Sequence, residues 1–363
     1  MSPKFNILPI QDWIDTEGKP LIISGPCSAE SEEQLLRTAR ELADTSKIHV
    51  LRAGAWKPRT RPNDFEGVGE PGLIWLKKAK EITGLKTAVE VADASHVELA
   101  LKHDVDIFWI GARTVVNPFS VQAIADSLKG IDIPVMVKNP VNPDVKLWLG
   151  AIERLNSLGL NKLIAIHRGF HYFEKSPFRN APMWEIPIEL KRKAPELPIV
   201  VDPSHIAGNR DLIEAISQKA LDLEMDGLMI ESHFDPDNAL TDSAQQITPG
   251  FLNDILDNLV IRHTKGDVVF QHKLEELRTE IDKLDGELLQ ILAKRMEIID
   301  EIGEYKLDND ITILQMKRWA GIINDRLAIG THLGLEEKFL KKLLNLIHKE
   351  SINRQEDIFG SKD

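Results

Sequence analysis

The chain has a single cysteine, Cys27, in 363 residues, so no internal disulfide can hold the fold and a reducing compartment is expected. No run approaches the roughly 20 apolar residues that a membrane-spanning helix needs. The N-terminal stretch MSPKFNILPIQDW lacks the apolar core of a signal peptide, so the expected location is the cytoplasm, with no membrane partner. Positive charge is not in excess either. A formal net charge of -12 argues against a general nucleic-acid surface, so any basic cluster must be local and directed at a small anion. Internal repeats and low-complexity tracts are absent.

What the chain does have is enough apolar sequence, 42% of its residues, to bury one large domain and a smaller one. Between Leu21 and Glu231 run eight short apolar, often β-branched stretches: LIIS, IHVLRA, TAVEV, IFWIGA, PVMVKN, LIAIH, PIVVDPSH and GLMIES. Segments able to form helices separate them. Alternation of this kind implies a parallel sheet covered on both faces, and eight units within about 250 residues fit an α/β (βα)8 barrel. An open doubly wound sheet is the competing architecture. From Leu274 onward the apolar residues switch to helical spacing through Ile302, which predicts one long helix over 274–306. Two further helices are predicted around 318–327 and 335–355. The expected division is a barrel over 1–262, a linker over 263–271 containing the polar HTKGD, and a three-helix all-α domain over 272–363.

A (βα)8 barrel places its active site at the C-terminal ends of the strands. Nearly every apolar run here closes on a polar residue: Cys27, Arg52, Glu90, Arg113, Lys138, Arg168 beside His167, Asp202 with His205, and Glu231. A single Glu or His in such a place is usually a satisfied charge, and eight together are not. Cys27, His205 and Glu231, with Asp242 on the loop after the eighth run, combine a thiol, an imidazole and carboxylates, a set suited to a divalent metal such as manganese, iron, cobalt or zinc. Cys27 could instead be a small buried hydrophobe. Arg52, Lys57, Arg59, Arg113, Lys138 and Arg168 concentrate positive charge in an acidic protein, which implies substrates with more than one phosphate or carboxylate group.

The segments GPCSAES, LRAGAWKPRT, GAR, VKNP, HRG and DPSH, together with the Glu231 strand, resemble the ordered motifs of the 3-deoxy-D-arabino-heptulosonate 7-phosphate synthases over roughly residues 20–255. KPRT is the most specific of these. The resemblance implies condensation of phosphoenolpyruvate with erythrose 4-phosphate, with Cys27, His205, Glu231 and Asp242 as metal ligands. It implies that Arg52, Lys57, Arg113, Lys138 and Arg168 hold phosphoenolpyruvate, and that Pro58, Arg59, Thr60 and Asp202 face erythrose 4-phosphate. Lys57 and a metal-bound water are the candidate proton carriers. The octulosonate 8-phosphate synthases share the barrel and the cysteine site and are the alternative for substrate. The stretch GFHYFEKSPFRNAPMWEIPI departs from what relatives lead one to expect.

On the long helix, Arg278, Arg295 and Lys306 stand near apolar stripes. The last two are about 16 Å apart along the axis, and Arg278 lies about 25 Å from Arg295, too far to share one ligand within one straight helix. By itself the region would read as a packing module. LEELRTEIDKLDGELLQILAKRMEIIDEIGEYK, an Arg in the second helix and HKESINRQ near the end resemble the all-helical chorismate mutases. That resemblance implies that Arg278 and Arg295 grip the carboxylates of chorismate, with Arg278 supplied by a second protomer of a homodimer or larger homo-oligomer. Lys306 and Gln355 would stabilise the ether oxygen, and Gln315, Arg318 and Ser351 complete the pocket. Trp319 stands where the family usually has a glutamate, and indole donates but cannot accept a hydrogen bond. Feedback by chorismate or prephenate through this domain is expected. A non-catalytic effector-binding and dimerisation module is the other reading.

Overall fold

The computed structural model of the chain describes residues 5–57, 64–262 and 268–360. It divides into two compact units, Met1–Arg262 and His263–Asp363. In the first, eight parallel strands close into a barrel in chain order: β1 (Leu21–Gly25), β2 (Val50–Arg52), β3 (Lys86–Val91), β4 (Ile107–Ile110), β5 (Val135–Lys138), β6 (Leu163–His167), β7 (Ile199–Val201) and β8 (Gly227–Glu231). Helices α1 (Glu32–Ala43), α2 (Glu70–Thr83), α3 (Ala94–Lys102), α4 (Pro118–Ser127), α5 (Val145–Ser157) and α6 (Glu185–Lys193) follow the first six strands. A short α7 (Pro203–Ala207) and α8 (Ile213–Asp222) follow β7, and α9 (Pro249–Asn258) comes after β8.

The strands are apolar at consecutive positions because both of their faces are buried. In β1, Leu21 and Ile23 point inward to a cluster with Trp109, Met136 and Met229, while Ile22 points outward to join Leu35, Leu36 and the other helix-facing residues. This is the period-2 alternation of a strand with apolar residues on each side. Helix starts are written locally. Ser31, Asp93, Asn117 and Asp144 each accept a backbone N–H of the first turn, worth about 1 kcal/mol apiece, and prolines occupy first-turn positions in α4, α7 and α9. Gly25 ends β1 at φ 144°, and a Cβ there would lie 2.0 Å from the Arg52 carbonyl oxygen. Only glycine lets β1 approach β2 so closely, which sets the Cys27 turn against the end of β2.

The second unit holds α10 (Val268–Asp308), α11 (Met316–His332) and α12 (Glu337–Gly360). The long helix begins earlier than expected, so residues 268–271, assigned to the linker, are helical; residues 263–267 lie outside the described residues. The second helix extends beyond the predicted 318–327 at both ends, and the third begins at Glu337, inside the predicted 335–355, and runs on to Gly360. The C-terminal part of α10 packs on α12, which also packs on α11. Gly303 permits the first contact, since a Cβ there would come within 2.8 Å of Ile358 Cδ1. The earlier part of α10 leaves Leu277, Ile281, Leu284 and Leu288 exposed. Among the described residues no helix is long and apolar enough to cross a membrane.

Candidate active sites

At the barrel mouth the strand ends deliver a connected set of buried charges. Arg52, the last residue of β2, places Nη1 3.0 Å from Glu231 Oε1 at the end of β8. Its Nη2 donates to the Cys27 carbonyl at 2.9 Å, and its guanidinium lies over the Trp109 ring, 4.8 Å from the centroid. Lys138, closing β5, pairs with Asp202 Oδ2 at 3.0 Å. Asp202 caps α7 by accepting the His205 N–H at 3.0 Å, and its Oδ2 lies 2.8 Å from His205 Nδ1. His205 Nε2 in turn lies 3.8 Å from Glu231 Oε1. Asp202 is fully buried, and both of its oxygens are engaged, one by Lys138 and the other by the His205 N–H.

Cys27, Glu231 and Asp242 bring one donor atom each within 4.8 Å of one another. Cys27 Sγ lies 3.4 Å from Asp242 Oδ2, and Lys57 Nζ donates to that same oxygen at 2.7 Å while also contacting the sulfur. A cation therefore shares the donors that a divalent ion would use, and a thiol, two carboxylates and the adjoining imidazole of His205 fit such an ion chemically. Arg168 Nη1 donates to Asn180 Oδ1 at 2.7 Å, and Arg113 is exposed on the turn after β4. Pro58, Arg59 and Thr60 lie outside the described residues.

In the helical unit a cavity of about 550 Å³ is lined from all three helices, with Arg295 and Lys306 on α10, Gln315 and Trp319 at the start of α11, and Ser351 and Gln355 on α12 among its walls. Arg295 Nη1 donates to Ser351 Oγ at 2.7 Å, and Lys306 Nζ donates to Gln355 Oε1 at 3.1 Å. Arg278 is not at this cavity. It sits on the exposed half of α10, paired with Glu275 at 2.6 Å. Arg318 lies in α11, and its side chain is outside the described ones.

Residues 5–264 match the DAHP synthetase I family, and residues 277–356 match chorismate mutase type II. The chain belongs to the DAHP synthetase I family. A phospho-2-dehydro-3-deoxyheptonate aldolase of Thermotoga maritima is 34% identical over 245 residues, 68% of this chain and 70% of that protein. A 2-dehydro-3-deoxyphosphooctonate aldolase of Desulfotalea psychrophila is 30% identical over 273 residues, 69% of this chain and 92% of that protein. Among solved structures, the DAHP synthase of Thermotoga maritima superposes with a TM-score of 0.60 at 32% identity, covering 66% of this chain and 68% of that one. A truncated form of the Thermotoga maritima synthase gives 0.60 at 30% identity, covering 70% and 90%. This family member is an enzyme with a synthase barrel and a chorismate mutase domain on one chain.

Its barrel site is electrostatically polarised. Burial, reinforced by Glu231 and Asp242 and opposed by Lys57 and Arg52, pushes the Cys27 thiol up to about 12. Burial works against the Lys57 ammonium, yet Cys27, Glu231 and Asp242 outweigh it and hold the group charged. Asp242 lies well below the usual carboxylate range because Lys57 and Arg179 overcome its burial. Arg168 is drawn down to about 10, mainly by burial and then by repulsion from Arg179 and Arg113, against the pull of Asp202. Repulsion of this kind on Arg168 marks cations converging on one place.

Several residues of the site were not singled out from the sequence. Arg179 donates to Asp242 Oδ1 at 3.1 Å and to Gln245 Oε1 at 2.7 Å, and Gln245 passes a hydrogen bond to Glu231 Oε2 at 2.7 Å. Asn180 links Arg168 to the His205 carbonyl, which its Nδ2 reaches at 2.6 Å. Both lie in the atypical loop after β6. The unusual aromatic and proline content of that loop was the one available signal, and only the fold shows where Arg179 and Asn180 point. In the mutase domain His348 and Arg326 line the cavity as well.

Proposed function

We propose that the barrel joins phosphoenolpyruvate to erythrose 4-phosphate, giving 3-deoxy-D-arabino-heptulosonate 7-phosphate and phosphate. The observation that carries this is one barrel mouth holding a thiol, imidazole and carboxylate donor set beside a converging group of cations. Cys27, His205, Glu231 and Asp242 would hold a divalent ion, which supplies Lewis acidity toward the aldehyde oxygen. Arg52, Lys138, Arg168 and Arg113 hold the carboxylate and phosphate of phosphoenolpyruvate by charge-assisted hydrogen bonds, which places its enol carbon against the aldehyde. The methylene carbon of that enol bonds to the aldehyde carbon, whose oxygen takes up a proton; water adds at the neighbouring carbon that bears the phosphate, and the bond from that carbon to the phosphate oxygen breaks. Lys57 lies close enough to the donor set to carry a proton. Pro58, Arg59 and Thr60 complete the sugar-phosphate end.

The octulosonate alternative rests on the likeness to the Desulfotalea aldolase, and assays with arabinose 5-phosphate in place of erythrose 4-phosphate separate the two. In the helical domain, Arg295, Lys306, Gln355, Ser351, Gln315 and Arg318 would bind chorismate and hold its compact conformer while charge develops on the ether oxygen, converting it to prephenate. A second copy covers the exposed stripe of Leu277, Ile281, Leu284 and Leu288 and brings Arg278 to the pocket, making a homodimer at least. Chorismate or prephenate bound there lowers synthase activity. Removal of residues after 262 tests that regulation: product inhibition disappears if the helical domain senses product, and persists if the barrel does.

A further inference from the structure

The mutase cavity is rich in donors and poor in acceptors. Lys294, Arg295 and Lys306 on α10 and Arg326 on α11 line it, and among the described residues its lining contains no carboxylate. The neutral acceptors are mostly committed. Ser351 Oγ accepts from Arg295 and donates to the Ile347 carbonyl at 2.7 Å, while Gln355 Oε1 accepts from Lys306 and its Nε2 donates to the Ser351 carbonyl at 2.9 Å. Trp319 can only donate. A ligand with two carboxylates meets ample cations here, but a hydroxyl on the same ligand needs an acceptor. Gln315 is exposed at the rim, which leaves His348 as the half-buried candidate.

His348 lies flat on Trp319, with ring centroids 3.5 Å apart and ring planes 9° from parallel. Stacking between rings on α11 and α12 fixes the imidazole plane, and the lone pair of an imidazole nitrogen lies in that plane. The hydrogen-bond direction is therefore set before a ligand arrives. An indole face by itself favours an imidazolium, yet burial and then repulsion from Arg295 hold His348 below its ordinary value. The neutral ring, with one accepting nitrogen, prevails at neutral pH.

We propose that His348, held in plane by Trp319, accepts the ring hydroxyl of the substrate in the mutase pocket and so reads its presence. This rests on the mutase reading of the helical domain. Trp319 thus supplies orientation, and the acceptor stands across the pocket on α12.

The test uses the full chain and compares binding of chorismate with that of an analogue lacking the ring hydroxyl, by calorimetry, across pH. The wild type is expected to prefer chorismate by roughly tenfold, the scale of one net hydrogen bond. His348→Leu should bring the two affinities together, whereas His348→Gln, which keeps an acceptor and does not titrate, should retain the preference. In the wild type the preference should fade as pH drops below 6.5, because the imidazolium has no acceptor, and it should stay level in His348→Gln. An undiminished preference in His348→Leu, or a wild-type preference that is flat with pH, overturns the inference and leaves the mutase reading intact. Binding of neither ligand by the wild type rejects the mutase reading and this inference with it.

Discussion

Arg179 and Asp242 meet at the barrel mouth: Nη1 of the arginine lies 3.1 Å from Oδ1 of the aspartate, while Lys57 holds Oδ2 at 2.7 Å. Asp242 sits at φ 47°, a left-handed conformation that costs a non-glycine residue on the order of 1 kcal/mol. Cations on both oxygens keep it there, and the same loop feeds Gln245 to Glu231.

Arg179→Ala should therefore weaken divalent-metal binding by roughly 10- to 100-fold, the range seen when the support of a metal ligand is removed. Competition with a chromophoric chelator measures this without any turnover. Unchanged affinity in a folded variant would take Arg179 out of the site's support.

His167 closes β6, and its ring packs between Trp148, Phe170 and Trp184. Burial pushes its pKa from 6.5 down to about 3. For a base lowered on folding, the unfolded chain binds more protons between those values, so the neutral ring's contribution is complete above pH 6.5 and is lost as pH falls toward 3. The loss is about 1.4 kcal/mol per pH unit within that window. His167→Phe should flatten this part of the stability curve, measured by urea unfolding at pH 7 and pH 5. A variant as acid-sensitive as the wild type would contradict it.

The strand ends were legible because a parallel barrel forces each apolar run to finish at the mouth, so Cys27, Arg52, Lys138 and Glu231 could be picked out by position alone. Asp202 follows β7 at the mouth as well, and the contact of its side chain with Lys138 and His205 is a choice made by packing and capping. Arg179 and Asn180 carry no periodicity in a loop and acquire their role only when the loop crosses to α7 and Asp242. The helical spacing of apolar residues becomes regular only from Leu274, which is why the sequence does not show α10 beginning at Val268. His348 opens the HKESINRQ segment, and only the packing of α11 and α12 shows that Trp319 lies against its ring.

In the helical unit, Gly303→Val should be destabilising by about 1–3 kcal/mol, because α10 and α12 are already in contact at Ile358 and Gln355. Circular dichroism during urea unfolding reports the change, and a neutral result would mean that the helices separate at little cost.

If a second copy supplies Arg278, chains carrying Arg278→Ala and chains carrying Arg295→Ala should each lose mutase activity. Equal mixtures, after subunit exchange, should regain roughly a quarter of it, since half of the chains pair in mixed dimers with one complete pocket of two. No recovery in dimers shown to have exchanged would place both arginines in the same subunit's pocket, or Arg278 outside it.

The central claim is that the barrel condenses phosphoenolpyruvate with a four-carbon sugar phosphate at a metal site built on Cys27, His205, Glu231 and Asp242. The most direct measurement follows phosphoenolpyruvate consumption by metal-loaded full-length chain, with erythrose 4-phosphate and then arabinose 5-phosphate, each with and without a chelator. Turnover with erythrose 4-phosphate that the chelator abolishes and a divalent ion restores is the predicted result; turnover confined to arabinose 5-phosphate, or indifferent to the chelator, would contradict it.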